Sequence, residues 1–262
     1  MSNEVSIEEQ WRRLLVEGLN PSGRRLHSIY ARLPANPRCR MCMAPFEGPG
    51  GQIVRLFGKR RSNLNPHYCN ECEQFARTHI GGAEIRISML FADIRGSTSL
   101  AEHMQPAKFR ALIDRFYATA TDVLARSEAM IDKLAGDQVS GYFTAGFAGP
   151  NFPRVAVQTA QELLRETGHN SPDGPWIPVG IGVHTGIAFV GSVGAQNGLV
   201  DITALGDAVN IAARLASHAG PGDILLSQET YSEAGLDLGE LEQKQLDLKG
   251  RTQPVSVYVL QG

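Results

Sequence analysis

Residues 84–98 read EIRISMLFADIRGST. From Glu84 to Asp93 the run is largely apolar and rich in Ile, Leu and Phe, which suits a strand covered on both faces. Asp93 stands where that strand ends, and Gly96, Ser97 and Thr98 make the turn that follows. A carboxylate in this place points off the sheet edge, beside backbone N–H groups that suit a phosphate. Working outward, the pattern predicts a helix with Ser99 as N-cap, Glu102 completing a capping box, and an apolar face from Phe109 through Val123. Residues 129–145 read as two strands joined by a tight turn at Ala135 to Gln138, where Gly136 and Asp137 supply the turn chemistry. A helix near 153–167, strands near 177–183 and 187–193, a helix near 207–218, and strands near 223–227 and 253–260 give a mixed α/β order.

Upstream the character differs. Ile7, Trp11, Leu14, Leu15 and Leu19, then Leu26, Ile29, Tyr30 and Leu33, recur at helical spacing, so residues 1–33 are expected to form a helical segment, a hairpin of two short helices. Residues 34–80 hold all four cysteines, as Cys39-x-x-Cys42 and Cys69-x-x-Cys72, in a stretch without long apolar runs. Two such pairs make a closed thiolate shell for a structural Zn2+ ion, with an iron–sulfur cluster or redox-active thiols as the alternatives. His67 and His79 are then surface histidines, and Arg55, Lys59, Arg60 and Arg61 a solvated basic loop. Gly81 and Gly82 punctuate the start of the main domain, 81–262.

With 42% hydrophobic and 20% charged residues the chain is a globular protein, and a net charge of -2 gives no general reason to expect nucleic acid as a partner. No run approaches about 18 apolar residues and the first ten residues have no secretory layout, so the expected location is the cytoplasm, without a membrane partner.

Taken alone, Asp93 and Asp137 are turn residues. A third segment, DITALGDAVNIAARLAS (201–217), changes their meaning, because it puts Asn210 and Arg214 four residues apart on one helix face where core packing has no use for them. In order, FADIRGST, KLAGD, GVHTG, TALGDAVNIAARL and LKG resemble the class III adenylyl and guanylyl cyclase catalytic domain, over about residues 84–261. The resemblance implies an α+β fold, ferredoxin-like βαββαβ with added strands. It also implies a head-to-tail homodimer with two equivalent interfacial sites. Asp93 and Asp137, with the Ile94 backbone, match the holders of two Mg2+ or Mn2+ ions; Gly96, Ser97 and Thr98 lie where phosphates are met. Lys133 and Thr203 match the base-reading pair, Asn210 the residue that orients the ribose, Arg214 the arginine that steadies the transition state, and Lys249 the lysine on the outer phosphates. Lys133, Thr203, Asn210, Arg214 and Lys249 would come from the partner subunit. A lysine donates to N1 of adenine but not to N1–H of guanine, so Lys133 points to ATP and an adenylate cyclase; a cyclase of another base, or a silent nucleotide-binding module, are the alternatives. Of the remaining polar residues, His184 reads as a packed core histidine, Asp207 as the N-cap of the Asn210 helix, and Asp201 as an uncommitted neighbour of the nucleotide.

Overall fold

The computed structural model describes residues 5–19, 21–33, 37–195, 198–248 and 253–261. Helix α1 (Ile7–Arg12), capped by Ser6, runs into a π-helical turn (Arg13–Glu17), and α2 (Pro21–Arg32) follows. The cysteine stretch carries α3 (Gly48–Leu56) and α4 (Asn70–Thr78). The remaining elements are β1 (Gly81–Ile94), α5 (Ser97–His103), α6 (Pro106–Arg126), β2 (Met130–Ala135), β3 (Gln138–Phe143), α7 (Ala145–Ala148), α8 (Phe152–Glu166), β4 (Val179–Gly194), β5 (Val200–Leu205), α9 (Asp207–His218), β6 (Asp223–Ser227), α10 (Gln228–Ala234), β7 (Glu242–Leu246) and β8 (Val255–Gln261).

The sheet order is β2-β3-β1-β4-β6-β8-β7, with β5 also paired to β4. Its first four strands, with α6 and α8 as the crossovers, are the expected α+β, βαββαβ core. Strand β1 is central and antiparallel to both neighbours. Its burial alternates at the N-terminal end and becomes continuous from Ile87 to Ala92, because α8 and α9 both pack on it. Helix α9 approaches closely: a Cβ on Gly182 would lie 2.2 Å from the Ala216 nitrogen, so glycine at this point of GVHTG is a packing requirement.

Four local expectations are corrected. The helix after Asp93 is two helices, since Pro106 opens α6 and ends α5 before it; Gly96, in the left-handed region at φ 68°, holds the N-cap position and Ser99 lies inside α5. The strands near 177–183 and 187–193 are one strand, β4, because β1 pairs with it without a break from Ile94–Val179 to Gly81–Ser192. For the same reason Gly81 and Gly82 belong to β1 rather than ahead of it. At the head of α9, Gly206 is the N-cap and Asp207 sits in the first turn.

The amino-terminal helices lie on this framework. Trp11 is fully buried, donates its indole N–H to the His79 carbonyl (2.8 Å) and meets Phe75 edge-on at 5.0 Å between ring centroids. His184 is a core histidine as expected, 5% exposed with Nδ1 2.8 Å from Ser227 Oγ.

Candidate active site and four-cysteine cluster

The two aspartates are brought together by the sheet. Strand β1 pairs with β3 up to Asp93–Gln138, and the next ladder bond runs from the Ile94 N–H to the Asp137 carbonyl (3.0 Å). Asp137 therefore occupies the two-residue turn between β2 and β3, with Gly136 at φ 63°, and Tyr117 OH braces that turn through the Gly136 carbonyl (2.8 Å). The loop after β1 touches both carboxylates: Arg95 pairs with Asp93, and Ser97 Oγ donates to Asp137. Arg95 also reaches α9, donating to the Ser217 carbonyl (3.0 Å), and its N–H is fixed on Pro178 (2.9 Å). Burial lowers the Arg95 pKa, and the Asp137 charge works against that. The donor set of two carboxylates and the Ile94 carbonyl is hard oxygen, the chemistry that Mg2+ and Mn2+ prefer.

Arg95 had no role in the sequence reading, although it sits inside FADIRGST. Its positive charge meets Asp93 here, so a cation bound there would compete with the guanidinium.

A second group of residues lies between β2 and β5. Thr203 is 5% exposed and its hydroxyl donates to Asp132 Oδ1 (2.7 Å); Ser140 Oγ donates to the other oxygen (3.2 Å). Asp132 is 2% exposed and precedes Lys133, itself exposed, at a bulge between Ile131 and Lys133 that leaves Asp132 out of the β2–β3 ladder. Burial pushes the Asp132 carboxyl upward, opposed by the Thr203 bond, the Lys133 charge and the Ser140 bond. Lys133 and Thr203 thus flank one buried carboxylate, which the sequence reading did not single out.

Asn210 is exposed and Arg214 half-buried on α9. Among the described residues, no hydrogen bond or ion pair joins either of them to Asp93 or Asp137 within the chain. Lys249 lies outside the described residues, while Gly96 and Thr98 stand exposed in the turn that opens α5.

Residues 83–262 match the adenylate and guanylate cyclase catalytic domain. The chain belongs to that family. It is 29% identical over 192 residues to an adenylate cyclase of Anabaena cylindrica, covering 68% of this chain and 38% of that one. An uncharacterized protein of Mycobacterium tuberculosis is 30% identical over 187 residues, covering 68% of this chain and 33% of its own length. The chain thus spans about a third of the length of these curated relatives. Among solved structures, the guanylyl cyclase Cya2 superposes with a TM-score of 0.62 at 26% identity, covering 69% of this chain and 94% of that one. The adenylyl cyclase CyaB from P. aeruginosa gives 0.59 at 28% identity, covering 68% and 94%.

The four-cysteine cluster precedes the stretch shared with other cyclases. Cys39, Cys42, Cys69 and Cys72 bring their sulfurs within 4.8 Å of one another, and Cys42 and Cys69 lie 3.7 Å apart. A tetrahedral shell with metal–sulfur bonds of about 2.3 Å has sulfur–sulfur edges of about 3.8 Å, so the four thiols fit one metal ion. The same spacing is far beyond a disulfide bond of about 2.05 Å. Hydrogen bonds from Cys39, Cys42 and Cys72 push the Cys69 thiol pKa down, while Cys42 and Cys72 are pushed up by sharing protons with the others.

Of the neighbouring bases, Arg55, Arg60 and Arg61 are exposed, as expected of a solvated loop, and Lys59 is half-buried. Lys59 Nζ pairs with Glu71 (2.7 Å) beside Cys42 Sγ (3.8 Å); burial works against its charge, but Cys42 and Glu71 outweigh it and raise its pKa. Arg55 donates to the Phe46 carbonyl (2.8 Å) and Arg61 to that of Pro66 (2.7 Å). His67 is exposed as expected, whereas His79 stacks on Phe75 at 4.4 Å.

Proposed function

We propose that this chain is an adenylate cyclase converting ATP to 3′,5′-cyclic AMP and pyrophosphate at sites shared between two copies. The observation that carries the base assignment is the bond from Thr203 Oγ1 to Asp132. With its proton committed to a buried carboxylate, the Thr203 oxygen offers a lone pair, which complements the 6-amino donor of adenine and not the O6 acceptor of guanine. Lys133, exposed on β2 beside Asp132, is a donor to adenine N1.

For the reaction itself, Asp93, Asp137 and the Ile94 carbonyl would hold two divalent ions. Such ions, when bound, lower the pKa of the ribose 3′-hydroxyl and offset the charge of the departing pyrophosphate. Gly96, Ser97 and Thr98 offer backbone N–H groups to the phosphates. On the other copy, Asn210 orients the ribose, Arg214 presents fixed donors to charge developing on the α-phosphate, and Lys249 meets the outer phosphates. Two features support a dimer: among the described residues no hydrogen bond or ion pair joins Asn210 or Arg214 to the carboxylates of their own chain, and Ile187, Leu199 and Leu205 leave apolar surface exposed at 56%, 67% and 46%. For the cysteine cluster the sulfur spacing supports Zn2+. Four unbridged thiols and the lack of any described helix long and apolar enough to cross a membrane suit a cytoplasmic location.

The direct test is to incubate the purified protein with ATP, GTP, CTP or UTP and Mn2+ and to identify the cyclic product. Cyclic AMP is expected with the highest kcat/KM, and Lys133→Glu is expected to reduce that preference for ATP by about tenfold or more, the cost of a lost hydrogen bond to a charged donor. A wild-type preference for GTP would contradict the base assignment, and no product from any triphosphate would favour a silent nucleotide-binding module.

A further inference from the structure

The cysteine stretch is bonded to both strands that carry the base-reading residues, through side chains placed one residue from cluster cysteines. Tyr68, beside Cys69 and 1% exposed, donates its hydroxyl to Asp201 Oδ1 (2.5 Å) and accepts from the Ile202 N–H (3.0 Å), one residue before Thr203. Asn65, 3% exposed, donates to the Val200 carbonyl (2.9 Å) on the same strand. Arg40, beside Cys39, grips β2. Its carbonyl accepts the Ile131 N–H (3.1 Å), and its guanidinium donates to the Asp132 carbonyl (3.1 Å) that the bulge frees from the ladder. Arg40 and the Tyr68 segment are joined in turn, since the Arg40 N–H donates to the His67 carbonyl (3.0 Å).

We propose that Tyr68 and Arg40 are positioning residues for base recognition, so that the four-cysteine cluster sets the separation and register of β2 and β5 behind Lys133 and Thr203. The proposal rests on the base-reading assignment of those two residues. The Thr203–Asp132 bond spans β5 and β2, and its length depends on where each strand is held. A clamp built around the cluster holds both strands, and ordinary packing needs neither a buried tyrosine hydroxyl on Asp201 nor an arginine on a bulge carbonyl. Because the clamp acts on the orientation of an acceptor that only adenine uses, its loss is felt by ATP more than by GTP.

The test uses the full chain with Tyr68→Phe, which keeps the buried ring and removes only the hydroxyl, and with Arg40→Met. Asp201→Ala, which breaks the same contact from the half-buried β5 side, serves if either fails to fold. Binding of 3′-deoxy-ATP and 3′-deoxy-GTP, which lack the attacking hydroxyl, is measured at equilibrium beside kcat and KM for ATP. The expected result is a loss of about three- to tenfold in affinity for 3′-deoxy-ATP and in KM, the range of one lost hydrogen bond, with a smaller change for 3′-deoxy-GTP and kcat within about twofold. Lys133→Ala is the reference. If it shifts base preference while the clamp variants bind both analogues as wild type does, or weaken both equally, the proposal is overturned. If Lys133→Ala leaves base preference unchanged, the base-reading assignment has failed and the proposal falls with it.

Discussion

Asp137→Asn should leave the chain folded and remove cyclase turnover, with a loss well beyond the roughly hundredfold that an outer-shell metal partner costs. The fold survives because Asp137 contributes structurally through its backbone, whose carbonyl takes the Ile94 N–H, and because asparagine is at home in a Gly-containing two-residue turn. The Ser97 hydroxyl still finds an oxygen to donate to. What asparagine withdraws is negative charge, and a neutral amide is a poor ligand for a hard divalent ion. Asp93→Asn should behave alike with one difference: Arg95 loses its partner while keeping its bond to Ser217 on α9. Steady-state turnover with ATP and Mn2+, read beside circular dichroism and melting temperature, checks both. Turnover at the wild-type level in either variant would remove the metal assignment.

The second large effect concerns the cysteines. Cys69→Ser is expected to cost the chain its bound metal and much of its stability. Structural zinc supplies apparent folding energies of about 10–16 kcal/mol in small domains, and a chain of this size moves about 2–4 °C in Tm per kcal/mol, so a third of that energy lowers Tm by about 10 °C. Cys69 is fully buried, is pushed toward the thiolate by its three neighbours, and takes the N-cap position of α4, so serine would leave an uncompensated gap in the shell. Metal content by atomic emission and a thermal melt are the readouts. One zinc per wild-type chain and none in the variant is the expected result; an unchanged melt in a metal-free variant would show the cluster to be dispensable for folding.

Much of this architecture was legible in the sequence because its signals are local. The apolar run before Asp93, the Gly136-Asp137 turn and the period of α9 each depend on a few adjacent residues, and each was located within a residue or two. The errors arose where partners distant in sequence decide. Thr185 and Gly186 looked like a break between two strands, yet β4 runs through them because β1 pairs along its whole length. Strand β5 is absent from the expected strands, since Asp201 and Thr203 interrupt its apolar residues, but both polar groups are satisfied by side chains from elsewhere, Tyr68 and Asp132. Pro106 was the missed local signal, and it splits the helix after Asp93.

The same division applies to the candidate site. Asp93, Asp137, Lys133, Thr203, Asn210 and Arg214 were named from motif order. Arg95, Asp132, Arg40 and Tyr68 were not, because their significance lies in contacts: an ion pair on Asp93, a buried carboxylate under Thr203, and two grips from the cysteine stretch onto β2 and β5. A basic residue two positions from a candidate metal ligand is a signal that could have drawn attention to Arg95.

The central claim is that each site is divided between two chains, Asp93 and Asp137 from one and Asn210 and Arg214 from the other. Mixing two inactive variants measures it directly. Asp137→Ala and Arg214→Ala are purified separately, combined in equal amounts, allowed to exchange subunits, and assayed with ATP and Mn2+. In a twofold dimer, random assortment makes half the dimers mixed, and each mixed dimer has one site with both defects and one intact, so about a quarter of wild-type activity should return. Activity that stays at the level of the separate variants, after exchange has been verified with differently tagged chains, would contradict the divided site.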